Sequence, residues 1–90
     1  MGLNEYRDEV AEFLGQIAAR QEPASRVLDM LDEEISLLKE SLNDYACLSH
    51  QLYDVLFLLF EVAAMNNLDL DSEWNQGRER KRAKYLKKHE

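Results

Sequence analysis

Apolar residues recur along the chain at spacings of three and four, and no segment alternates apolar with polar, so the pattern predicts helices and no strands. A first helix over 4–20 gathers Tyr6, Val10, Phe13, Leu14 and Ile17 on one face, with Asn4 placed to cap it. Pro23, the only proline, breaks that helix and suits the first position of a second one over 24–42. The second helix carries Ala24, Val27, Leu28, Leu31, Ile35, Leu38 and Leu42 within about 60° of one direction. Glu34 lies at the edge of this stripe, Met30, Leu37 and Ser41 continue the same flank, and Glu33 and Glu40 project toward solvent. Asn43 or Asp44 caps a third helix over 44–66 that is apolar almost all round. Leu48, Leu52, Val55, Leu56, Leu59 and Ala63 make one face of it, and Tyr53, Phe57 and Phe60 cover much of the rest. One narrow strip differs: Cys47, His50, Gln51, Asp54, Leu58 and Glu61. Polar groups on a helix meant for burial are costly unless they are paired or bind something. Asn66 and Asn67 end this helix, and Leu68-Asp69-Leu70-Asp71 leads into a last one over 72–88. Asp71 is placed to cap it, and Trp74 and Tyr85 are its expected anchors.

Ninety residues make one domain with a thin margin of stability. The single cysteine, Cys47, excludes a disulfide within the chain and a four-cysteine zinc site, and reads as a small core residue. Met1 to Glu5 hold no basic start followed by an apolar run, so no secretion signal is expected. The longest uninterrupted apolar run, Val55 to Phe60, falls short of the ~20 residues of a membrane span, and a cytoplasmic location is expected.

The net charge of −7 is unevenly spread: residues 1–75 hold 4 Lys/Arg against 16 Asp/Glu, whereas 76–90 hold 7 against 2. Either the two parts attract each other, or the acidic body holds cations while the basic end meets anions. An acidic body also argues against broad binding of nucleic-acid duplexes, so a nucleic-acid partner is not expected.

Carboxylates on interior flanks of two adjacent helices are a common way for a helical bundle to hold divalent metal. Here Glu33-Glu34-Ile35-Ser36-Leu37 lies on the second helix and Gln51-Leu52-Tyr53-Asp54 on the third. This arrangement resembles the MazG-like family of all-α nucleoside triphosphate pyrophosphohydrolases, whose signature is Glu-Glu-x-x-Glu on one helix and Glu-x-x-Asp on the next. Leu31, Leu38 and Leu42 flank the acidic pair as in the family, and Asp54-Val55-Leu56-Phe57 resembles the run after its aspartate. Leu68 to Asp71 resembles its acidic turn, and Lys81-Arg82-Ala83-Lys84-Tyr85 its basic closing segment, so the likeness covers about residues 27–86. The departures fall on the chemistry: Leu37 and Gln51 stand where the motif has its second and third glutamates, and Arg82 stands where an asparagine is expected.

The resemblance implies an all-α four-helix bundle that is dimeric or tetrameric, Mg²⁺ (or Mn²⁺) as cofactor, and a nucleoside triphosphate as partner. It implies Glu34 and Asp54 as catalytic metal ligands, and Gln51, Lys81 and Lys84 as substrate-binding residues. Glu33, adjacent to Glu34, and Glu61, two turns beyond Asp54, do not occupy the family's positions and are read as further metal ligands that compensate for the losses. His50 reads as a partner of Asp54 rather than a base. Two functions follow as expectations. One is a pyrophosphohydrolase with a thinned metal site, and the other is a non-catalytic helical oligomer that binds nucleotide, nucleic acid or a protein.

Overall fold

The computed structural model describes residues 2–18 and 22–86, and its elements are α1 (Leu3–Gln16), α2 (Ala24–Glu40), α3 (Tyr45–Met65) and α4 (Leu70–Tyr85). The fold is all-α, and no strand occurs among the described residues. α2 and α3 form the main antiparallel pair, α1 packs on α3, and α4 packs on α1.

The helix ends follow local chemistry. Asp44 caps α3 by accepting from Cys47 N–H at 3.1 Å. Asn67 adopts a left-handed φ of 51° after α3. Leu68 N–H then donates to Ala63 C=O at 3.0 Å and Asn67 N–H to Ala64 C=O at 3.3 Å, closing a Schellman motif. Pro23 is the N-cap of α2 rather than its first residue, its carbonyl accepting from Arg26 and Val27. α1 stops at Gln16 instead of running to 20, because Ala18 turns left-handed with φ 51°. Residues 19–20 and 87–88, expected in the first and last helices, lie outside the described residues.

Two capping expectations are corrected. Gly2 is the N-cap of α1 and Asp69 that of α4, accepting from Ser72 N–H at 3.0 Å. Asn4 and Asp71 act across the two helices: Asn4 Oδ1 accepts from Leu70 N–H at 2.7 Å, and Asp71 Oδ1 accepts from Leu3 N–H at 2.8 Å. Arg7 adds a bond of 2.6 Å to the Leu68 carbonyl. The amide of Asn4, donating to Asp69 at 2.9 Å, and then the Ser72 N–H hold the Asp69 carboxyl below its ordinary range.

The core is small. Val27, Leu31 and Leu58 form its centre, with Met30, Ile35, Val55, Val62 and Met65 packed against them. This fixes how α2 faces α3, and the facing differs from the leucine stripes read in the sequence. Leu58, a member of the polar strip, is buried. Leu52, Leu56 and Leu59 remain 46%, 49% and 47% exposed, and Leu28 and Leu42 on α2 are exposed as well. Each helix is apolar over a wider arc than one neighbour covers, so the pair meets along one side of both arcs and leaves the other bare. Trp74 and Tyr85 are exposed too, so neither anchors α4. Beyond Ser72 every described residue of α4 except Gly77 is exposed.

Taken as a whole helix rather than as uninterrupted runs, α3 has 21 residues and a mean hydropathy of 1.3 over its most apolar window, so by length and composition alone it is long and apolar enough to cross a membrane. Asp54 sits near its middle, where a carboxylate opposes insertion by ~3 kcal/mol.

Candidate functional site

The seam between α2 and α3 contains the residues singled out by spacing. Glu34 follows Leu31 by three and Val27 by seven, and it is half-buried beside the packed face of α2. Gln51 precedes Leu58 by seven on the facing helix. Glu34 Oε2 and Gln51 Oε1 are both shut off from solvent and have no hydrogen-bond partner among the described residues. Leaving such an acceptor unpaired costs ~1–3 kcal/mol, so two of them along one seam are a cost that a donor or a cation would relieve.

Asp54 lies one turn after Gln51, half-buried, with Oδ2 3.5 Å from His50 Nε2. That separation is too long for a strong hydrogen bond, so the carboxylate keeps most of its capacity to accept. Leu37 and Gln51, the two departures from the motif, line one open hollow of about 470 Å³ together with Glu40, Ser41, Ala46, Cys47 and His50. Glu40, expected to project to solvent, is exposed and also borders this hollow. Its spacing of three from Leu37 was the available signal. Cys47, expected in the core, is exposed at the hollow's rim. The thiol is pushed up by the Asp44 carboxylate beside it, which disfavours the thiolate.

The other expected residues stand further off. Glu33 is exposed on α2. Glu61 is half-buried two turns beyond Asp54, and burial followed by the charge of Glu22 pushes its carboxyl up. Lys81 and Lys84 are exposed on α4, and no hydrogen bond or ion pair joins them to the seam among the described residues. Lys84 instead lies 5.2 Å from the ring of its neighbour Tyr85. The arginines of α4 pair within their own helix, Arg80 with Glu73 at 2.8 Å and Arg82 with Glu79 at 3.5 Å. Thus the pair of Arg80 with Glu73 stays within α4, and no ion pair links α4 to α1, α2 or α3 among the described residues.

No group of three or more His, Cys, Asp or Glu side chains with metal-holding geometry forms among the described residues. The orphaned oxygens are nonetheless of the type Mg²⁺ accepts, one carboxylate and one neutral carbonyl, with Asp54 close in sequence. This donor set fits an ion that takes the rest of its shell from phosphate and water, and does not fit an all-protein cage. Comparison with known protein families, with curated proteins and with solved structures finds no match for the chain.

Proposed function

We propose that the chain is a cytoplasmic MazG-like nucleotide pyrophosphohydrolase of low catalytic power, converting nucleoside triphosphates to the monophosphate and pyrophosphate. The observation that carries this reading is the pair of orphaned buried acceptors, Glu34 Oε2 and Gln51 Oε1, on the two helices where the family motif places its ligands. Glu34, Asp54 and Gln51 would hold a Mg²⁺ that supplies charge neutralisation to the phosphates and acidity to a bound water. The protein's own part is to fix the phosphate chain against the seam and to present Asp54 as an acceptor beside it. Lys81 and Lys84 would offset phosphate charge once α4 is brought near a seam.

The unit that does this is proposed to be at least a dimer, formed through the bare leucine face of α2 and α3. The chain exposes 7130 Å², whereas a folded monomer of its mass is expected to expose roughly 5,400 Å². The excess on one chain, about 1,700 Å², is about twice the ~800 Å² that each partner hides in a standard interface.

A second reading is favoured by Leu37, which offers a hydrocarbon where the motif needs a carboxylate. On it the chain is a non-catalytic helical oligomer that binds nucleotide or a protein. Pyrophosphate release from the standard triphosphates, measured with and without Mg²⁺, separates the two. Metal-dependent release that disappears in Glu34→Gln and in Asp54→Asn supports the enzyme. Binding of a triphosphate without release favours the second reading.

A further inference from the structure

A separate hollow of about 180 Å³ opens between α1 and α3, lined by Glu9, Val10, Phe13, Tyr53 and Phe57. Glu9 and Phe13 are one turn apart on α1, and Tyr53 and Phe57 one turn apart on α3, so each helix presents two of its lining groups on one face. Phe13 and Phe57 meet edge to face at 87° with centroids 6.0 Å apart, and Tyr53 tilts 46° from Phe57 at 6.4 Å. The rings therefore make a corner rather than a stack, with buried Val10 alongside. Glu9 is exposed and has no ion-pair or hydrogen-bond partner among the described residues.

We propose that this corner binds a small alkylammonium ion, one bearing a trimethylammonium head. Three aromatic rings with a single carboxylate attract a cation through the ring faces and the charge together. A metal ion would find one ligand only, and hydrated inorganic cations gain little from rings. An anion would meet Glu9 and a body in which 16 acidic residues face 4 basic ones over 1–75. The volume is several times the ~30 Å³ of a water in the liquid, enough for a methylated ammonium head. The site is distinct from the α2/α3 seam and does not depend on pyrophosphohydrolase activity.

The test titrates the full chain with choline and with its neutral isostere 3,3-dimethylbutan-1-ol, following the ring-proton resonances of Phe13, Tyr53 and Phe57. Saturable shifts with choline are expected, with the isostere about tenfold weaker. Glu9→Gln, on an exposed side chain that leaves packing intact, should weaken choline several-fold and leave the isostere unchanged. Phe57→Leu should weaken choline as well, and circular dichroism checks that this variant folds. Equal binding of choline and isostere overturns the proposal, as does choline binding unchanged by Glu9→Gln. Uncharged nucleosides shifting the same rings more strongly than choline would mark a stacking slot and overturn it too.

Discussion

Asn4 and Asp71 each sit in the first turn of one helix and serve the start of the other: Asn4 Oδ1 accepts from Leu70 N–H at 2.7 Å while Asp71 Oδ1 accepts from Leu3 N–H at 2.8 Å. Both helices begin with orphan donors, and here two helix N-termini with the same partial positive charge are brought together by exchanged acceptors. Asn4→Ala and Asp71→Ala should each destabilise by about 1 kcal/mol in urea unfolding. Because the two side chains hold one junction, the double variant should lose less than the sum of the singles. Additive losses would mean that the two caps act independently.

Ala18 ends α1 with φ 51°, a region that costs an L-residue roughly 1 kcal/mol and glycine nothing. Ala18→Gly should therefore raise stability by up to about 1 kcal/mol, reduced by the added freedom of the unfolded chain. A lowered melting temperature would show that the turn is held by contacts of the methyl group.

The helices were legible because three- and four-residue spacing, Pro23, Asp44 and the Asn66-Asn67 pair act locally. The facing of α2 on α3 was not, since a helix as widely apolar as α3 offers several equivalent sides to a partner. The cap exchange was hidden for a related reason: Asn4 and Asp71 have the right chemistry for their own helix starts, and only the packing of α4 on α1 reassigns them. For the seam, the spacing of Glu34, Gln51 and Asp54 carried the positions, but the sealing-off of Glu34 Oε2 and Gln51 Oε1 follows only from the packing of α2 on α3. The aromatic corner joins residues forty or more positions apart, which no local pattern reveals.

Glu61 ties stability to pH. Burial and the nearby Glu22 raise its carboxyl, so the folded state holds the proton more tightly than the unfolded chain does. Its contribution is present below the unfolded pKa, ~4.3, and is lost as pH rises through the folded value. Glu61→Gln should then gain melting temperature over wild type at pH 7 and lose that advantage at pH 4. An advantage equal at both values would refute the titration of Glu61 as its source.

Self-association through α2 and α3 predicts that Leu56→Glu, placed amid the bare leucines, yields a folded monomer of 10.5 kDa by light scattering. Wild type should show at least twice that mass. A wild type that remains monomeric at micromolar concentration removes the interface, and insertion into vesicles would then account for the apolar face of α3.

Restoring the missing carboxylates tests what Leu37 and Gln51 changed. Leu37→Glu with Gln51→Glu should be less stable than wild type without metal, because clustered carboxylates repel. With saturating Mg²⁺, a site bound tenfold more tightly adds ~1.4 kcal/mol, roughly 5 °C in melting temperature for a chain of this size. Triphosphate hydrolysis should rise with it. A variant that binds Mg²⁺ and hydrolyses nothing would favour the non-catalytic reading.

The closeness of Gly2 to α4 makes residue 2 a remote handle on the basic helix. A Cβ there would lie 2.9 Å from Asp71 Oδ2 and 3.0 Å from Oδ1, and that carboxylate cannot swing aside without releasing the amide of Leu3. Any side chain at position 2 therefore displaces the Asp71 carboxylate and weakens the junction between the starts of α1 and α4. A substitution 69 residues upstream thus acts directly on the first turn of α4, through Asp71.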